Sequence, residues 1–308
     1  MRLMKSKYGT LNVYLYSAAA VILWGLSYIW SDKLLSQGIP IEYFVFIRVL
    51  FAGTILLILN LALGVDIRIH KKDLHKFLLL AMCEPLIYFT CETYGIALTE
   101  SPTYSAMIIA STPIVALFAG TLFFKEKMSL ANIAGVLVCI GGIMLMTFNS
   151  SKVGSNFVLG VILLVIAVLA EVGQASCTKW LAGSYKPQVI TMYQFIIGGA
   201  YLTPVFFLKG LNTFDPAIYL SWNVWEPILC LAILCSCLSF TLWVSSIKHL
   251  GVARSAVLQS IIPVVTAIAG IILGSEILSK LQWLGVAIAS SGVILSQLKI
   301  RKKESTPR

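Results

Sequence analysis

The chain has 308 residues, 58% of them hydrophobic and only 12% charged, with a net charge of +10 and a mean hydropathy of +0.90. A soluble chain carries about 25% charged residues, so the composition excludes a soluble domain. The basic excess could suggest a nucleic-acid partner, but its placement along the chain argues against one.

Ten apolar runs are predicted, at roughly 11–31, 41–63, 74–98, 103–124, 129–148, 157–182, 188–208, 225–248, 252–273 and 280–298. Runs of this length match a hydrocarbon core of ~30 Å at ~1.5 Å rise per residue. The expected fold is an all-α integral membrane protein of ten transmembrane helices, with no room in the loops for a separate soluble domain. Arg2, Lys5 and Lys7 precede an apolar run too long for the core of a cleaved signal, so the first helix is expected to be a signal anchor.

The first helix carries Trp24-Gly25 and ends in Asp32-Lys33; the second holds Glu42 near its start and Arg48 about 12 Å in from its outer end, at ~1.5 Å per residue. The third carries Glu84-Pro85 near its middle and Glu92 nearer the outer end. Glu84, Tyr88, Cys91 and Gly95 form one stripe at helical spacing, with Glu92 on its flank.

The fourth and fifth helices form a unit that the chain repeats. Residues 101–145 align without a gap on residues 251–295, and the coincidences include Ser105/Ser255, Pro113/Pro263, Gly120/Gly270, Glu126/Glu276, Gly135/Gly285 and Gly142/Gly292. Apolar sequences match by chance at Ala, Val or Leu, but rarely at a proline, a glutamate and three glycines in one register. The sixth helix opens the second half with Glu171, Gln174 and Thr178 on one face. A shift of 146 sets Lys33 on Lys179, Arg48 on Gln194 and Ala52-Gly53 on Gly198-Gly199, which carries the duplication back to the opening spans.

Five spans per repeat reverse the sense of the second half. Two inverted repeats follow, 1–148 and 157–298, with a basic tail at 299–308; secondary transporters use this layout to give one site two facings. With the N-terminus inside, 18 of the 23 Lys and Arg residues fall on the inner side. The positive-inside rule then accounts for the charge and places both termini in the cytoplasm.

Two five-helix halves, each ending in proline, glutamate and two glycines seven apart, resemble the EamA domains of the drug/metabolite transporter superfamily. The resemblance rests on Trp24-Gly25, Phe46-Ile47-Arg48, Tyr94 with Ala97-Leu98, and above all on the doubled Pro113…Glu126…Gly135…Gly142 and Pro263…Glu276…Gly285…Gly292. It implies a multi-pass transporter of the plasma (inner) membrane, with a central cavity between the halves, exporting amino acids or similar small metabolites. Membrane lipid and a small-molecule substrate are the expected partners, a homodimer is compatible, and no cofactor or metal is expected.

An ionisable side chain at membrane depth costs ~2.5–3.5 kcal/mol on insertion scales, so each needs a partner or a task. Arg48 and Glu92 share one depth and Glu84 and Glu171 a deeper one. Arg48 and Glu92 are read either as a structural ion pair or with Arg48 receiving a substrate carboxylate or phosphate, which guanidinium geometry suits. Glu84 and Glu171 are read either as two separate carboxylic acids or as a site on the cavity floor for a proton or a cationic group. Leaving all three acids ionised against one base would place a charge of −2 in a low-dielectric site, so one protonated acid is the cheaper state and proton coupling the expectation. Trp24, Tyr88, Tyr94, Tyr193 and Trp243 are cavity candidates, and Gln174 and Gln194 polar candidates beside the acids. Pro113 and Pro263 are expected to kink their helices and shape the cavity.

Glu126 and Glu276 are read as helix N-terminal charges, and the paired glycines as close-packing positions. All seven cysteines fall inside predicted helices, which implies no disulfide framework. The rival readings are a channel or lipid scramblase and an intramembrane enzyme. Neither HExxH nor a DDxxD motif occurs.

Overall fold

The computed structural model describes residues 2–115, 130–148, 155–210, 220–250, 255, 257–274 and 277–296. The described chain is all helical. An apolar segment in lipid must satisfy its own backbone groups, and the helix does this within one segment. Six helices are long and apolar enough to cross a membrane: Asn12–Ser36, Ile41–Ala62, Lys71–Thr99, Asn156–Ala182, Pro187–Lys209 and Trp222–Leu250. They correspond to α1 (Arg2–Ser36), α2 (Ile41–Ala62), α3 and α4 (Leu74–Ala81, Tyr88–Thr99), α7 (Ser155–Ala182), α8 (Pro187–Val205), and α9 and α10 (Trp222–Leu229, Ser239–Leu250). Large apolar side chains such as Leu59, Leu61, Leu137, Ile162 and Leu169 remain exposed on the outside of the helix assembly, as a lipid-facing surface requires.

The other four apolar runs are shorter or interrupted. α5 (Pro102–Ile109) stops at Ala110-Ser111, and the chain turns helical again over 112–115. In the second half a 3₁₀ turn, Val257–Ile261, precedes α11 (Ile262–Ile272). Pro113 and Pro263 therefore do not kink continuous helices. Each sits in the first turn after a break, where a missing N–H costs nothing because that donor has no partner inside the helix. Glu126, Glu276 and Gly120 lie outside the described residues.

The third span is interrupted as well. Met82–Ile87 is π-helical, and Glu84 within it has extended backbone (φ −150°, ψ 122°). The corresponding stretch of the eighth run, Cys230–Leu238, is also π-helical. Such departures from the helix ladder are tolerated at membrane depth where the backbone lines a cavity.

Corresponding helices of the two halves lie against each other. α6 (Leu130–Phe148) packs on α12 (Lys280–Ser296) at the repeated glycines. A Cβ added to Gly135 would lie 2.2 Å from the Ser296 nitrogen, one on Gly142 2.4 Å from the Ala289 nitrogen, and one on Gly292 2.3 Å from the Cys139 nitrogen. Rising numbers on one helix meet falling numbers on the other, so the two run antiparallel. α2 and α8 do the same, with Gly53 against Ile196 and Gly199 against Val49. The repeated serines also have matching surroundings: Ser105 bonds Thr99 at 2.9 Å, and Ser255 bonds Ser246 at 2.7 Å.

Candidate functional site

A cavity lies where the two halves meet. The first half contributes Trp24, Ser27 and Tyr28 from α1, Arg48 from α2, Glu84 from the π-helical segment, and Tyr88, Phe89 and Glu92 from α4. The second half contributes Glu171 and Gln174 from α7 and Phe240 and Trp243 from α10. Ile109, Gln259 and Ile262 come from the edges of the two helix breaks. The cavity thus sits at the interrupted segments, where backbone and side chains are free to turn inward.

Of the residues expected at the site, Trp24, Arg48, Glu84, Tyr88, Glu92, Glu171, Gln174 and Trp243 meet in this one cavity. Tyr94 does not: its hydroxyl donates to Glu42 Oε1 at 2.6 Å. Gln194 is fully buried on α8 away from the cavity wall, with both amide atoms unpaired. Tyr193 donates to the Ile67 carbonyl at 2.9 Å and packs on a second apolar cluster around Phe77 and Tyr185. Sequence reasoning missed Tyr28, Phe89, Phe240 and Gln259. The first three carry only the apolar signature of a helix interior, and Gln259 turns inward only because its helix is broken.

The polar residues make distinct contacts. Arg48 is 2% exposed, donates its Nε–H to Ser236 Oγ at 2.8 Å, and lies with its guanidinium carbon 3.9 Å from the centre of the Phe89 ring. A desolvated cation–π contact of this kind contributes about 2 kcal/mol. Of the two readings of Arg48, the ion pair with Glu92 is not formed: no oxygen of Glu92 comes within 4.0 Å of Arg48 nitrogen, and Glu92 Oε1 instead accepts from the Tyr88 hydroxyl one turn away at 2.8 Å. The reason is geometric. Phe89 lies against the guanidinium, and Ser236 takes its Nε–H.

Glu84 and Glu171 differ in the same way. Glu171 accepts from both halves, with Thr112 Oγ1 at 2.5 Å from Oε2 and Gln259 Nε2 on Oε1. Glu84, 3% exposed, makes no hydrogen bond to any described residue. Trp24 closes one wall with Phe240 and Trp243, edge to face at 5.0 and 5.1 Å, and its indole N–H is spent on the Cys235 carbonyl at 3.2 Å. The wall is therefore apolar toward the cavity. Gly25 beside it admits α11, since a Cβ there would lie 2.7 Å from Val265.

Chemically, the site offers one guanidinium with free donors, one unpaired carboxyl and an aromatic wall. Among the described residues no group of three or more His, Cys, Asp or Glu could hold a metal ion.

The chain is similar to proteins with transporter names over nearly its whole length. An uncharacterized transporter of Archaeoglobus fulgidus is 24% identical over 282 residues, covering 90% of this chain and 94% of its own. An uncharacterized transporter of Bacillus subtilis is 23% identical over 304 residues, covering 96% and 97%. A protein of Streptantibioticus cattleyicolor with the name "Probable terminal-alkyne amino-acid exporter" is 24% identical over 208 residues, covering 66% and 67%. One solved crystal structure superposes with a TM-score of 0.69 at 14% identity, over 92% of this chain and 96% of the other, so the fold is shared. The model of the EamA-like transporter family matches residues 11–148 and 158–298, and the chain belongs to that family.

Proposed function

We propose that the protein is a secondary transporter that exports a small zwitterionic metabolite, such as an amino acid, across the plasma membrane by alternating access. The observation that carries this reading is the buried cavity itself, which holds one guanidinium and three carboxyl groups between the halves. Holding such groups at membrane depth is costly, and they persist where they serve transport. In this reading a substrate carboxylate binds the free Nη donors of Arg48, and the ammonium group binds Glu84. The aromatic wall of Trp24, Phe240 and Trp243 takes the side chain. The exporter name carried by the Streptantibioticus relative supports the same substrate class.

The further reading is of ten spans in two inverted repeats, 1–148 and 157–298, with both termini and the tail at 299–308 in the cytoplasm. It is supported by the antiparallel pairing of equivalent helices, Gly135 toward Gly292 and Gly53 toward Ile196, because a two-fold axis in the membrane plane pairs like with like in that sense. The matching interruptions at Ala110-Ser111 and Val257–Ile261 support it as well.

The test is counterflow of a metabolite panel with purified protein in liposomes. Saturable exchange of amino acids over other metabolites is the expected result. Flux that does not saturate would instead favour a channel, and lipid flip without solute exchange a scramblase.

A further inference from the structure

The two interrupted helices are joined through a single side chain. Glu171 on α7 receives Thr112, at the restart after the break in the first half, on Oε2, and Gln259, in the 3₁₀ turn of the second half, on Oε1. All three are buried, at 8, 5 and 2% exposure. Among the described residues nothing comparable ties the breaks at Glu84, whose carboxyl accepts no hydrogen bond from them.

Thr112 has one hydroxyl proton and two acceptors within reach, Glu171 Oε2 at 2.5 Å and the Ile109 carbonyl at 2.6 Å. A carboxylate claims that proton, and the Ile109 carbonyl at the end of α5 then loses its bond. A protonated Glu171 donates its own O–H to Thr112 Oγ1, and Thr112 returns its proton to Ile109. The proton comes from cavity water, forms an O–H bond on Oε2, and returns to water when that bond breaks. Gln259 donates in either state.

We propose that Glu171 is the positioning residue of the transport cycle: gain or loss of its proton switches the Thr112 bond between the carboxyl group and the Ile109 carbonyl. The break in the first half is thereby opened or closed while the break in the second half stays held. This rests on the carrier reading and divides the two deep acids, with Glu84 facing substrate and Glu171 facing the helix breaks.

The ionisable groups that share the cavity lining with Glu171 are Glu84, Tyr88 and Glu92 on the third span and Tyr28 on the first. Cys83 lies against the neighbouring Gly173, and Arg48 is the cation of the cavity wall. Of the other elements packed on α7, α5 brings Ile109 to the wall and α10 brings Phe240 and Trp243, none of which titrates.

Trp24 and Trp243 line the same cavity and report on it without added substrate. Intrinsic tryptophan fluorescence of the protein in liposomes, titrated between about pH 5 and 8, is expected to show one step in the wild type and in Glu84→Gln. The step is expected to be lost in Glu171→Gln, whose amide keeps both ties permanently. Thr112→Val, nearly the same shape without the hydroxyl, is expected to fold and to move the midpoint by about one pH unit. Counterflow run in parallel checks the carrier reading separately, since it can fail while the step remains. A wild type without a step, a step of unchanged size and midpoint in Glu171→Gln, or an unmoved midpoint in Thr112→Val would overturn the inference.

Discussion

Arg48 donates to Ser236 Oγ at 2.8 Å, which joins the second span of the first half to the π-helical stretch of the eighth run and leaves the guanidinium fork facing the cavity. Because Glu92 is not its hydrogen-bonded partner, removing Glu92 should not repair the loss of Arg48. Arg48→Ala is expected to lose exchange activity, and Arg48→Ala with Glu92→Ala to remain as inactive and no more stable. Ser236→Ala removes one charge-assisted hydrogen bond and should cost about 1.5–3 kcal/mol. Melting and counterflow of the three variants decide this. Recovery of wild-type melting in the double variant would restore the ion-pair reading.

Two adjacent glycines of α6 make a sharper test of helix packing. A Cβ on Gly142 would lie 2.4 Å from the Ala289 nitrogen, whereas Gly141 faces open space. Gly142→Ala must push α12 away and is expected to cost at least about 1–3 kcal/mol, the range for overpacking a tight interface. Gly141→Ala should stay within about 0.5 kcal/mol of the wild type. Equal melting temperatures for the two variants would mean that the helices do not pack through this glycine face.

Gly135 and Gly142 were legible in the sequence because a duplicated small residue inside an apolar run has few explanations other than close approach. The charged cavity residues were legible for a similar reason, since Arg48, Glu84, Glu92 and Glu171 stand out against apolar surroundings. Their pairing was not. Equal depth along two helices says nothing about azimuth, and Phe89 and Ser236 settle it for Arg48. The helix breaks were half visible: a proline announces a disturbance, but whether the chain bends or restarts depends on what covers the freed carbonyls. Gln259 shows the limit, because on an unbroken helix nothing marks it as a partner for Glu171.

A polar clamp closes one end of the assembly. Tyr185, between α7 and α8, donates to Asp73 Oδ2 at 2.9 Å and accepts from the His70 backbone N–H at 3.1 Å; Lys76 completes the group at 2.7 Å from Asp73 Oδ1. Burial first, and the neighbouring Asp73 carboxylate after it, raise the Tyr185 hydroxyl above its usual value, so it remains a donor at neutral pH. Tyr185→Phe should destabilise the protein by about 1–3 kcal/mol through the unpaired buried Asp73 oxygen. Its half-saturation for substrate should be unchanged, because the clamp is remote from the cavity lining. A variant with normal melting and altered half-saturation would show the clamp acting on the site instead.

The orientation has its own test. With 18 of the 23 Lys and Arg residues on one side of the proposed topology, the 209–224 loop should face outward. A cysteine at Ser221 should be labelled by an impermeant reagent in intact cells, and one at Ser305 only after lysis. The native cysteines are buried or half-buried, which keeps their background low. The opposite labelling pattern would invert the topology.

Glu84 gives the most direct check of the substrate reading, because no described residue makes a hydrogen bond to its carboxyl group. Its backbone is extended inside an otherwise helical span, which brings the carboxyl group to the cavity wall, and no described residue bonds to it there. A buried polar group without a partner costs about 1–3 kcal/mol, and a charged substrate group arriving from the cavity offsets that cost. Glu84→Gln keeps the shape and removes the charge. It should leave the melting temperature unchanged or slightly raised, since no hydrogen bond within the protein is lost. It should weaken half-saturation for an amine-bearing substrate at least about tenfold, the scale of one charge-assisted hydrogen bond in a desolvated site. A substrate analogue lacking the amine should bind wild type and variant alike. If Glu84→Gln exchanges the amine-bearing substrate with wild-type half-saturation, Glu84 is not its counter-charge, and the ammonium group must be held by Glu92 or by the aromatic wall.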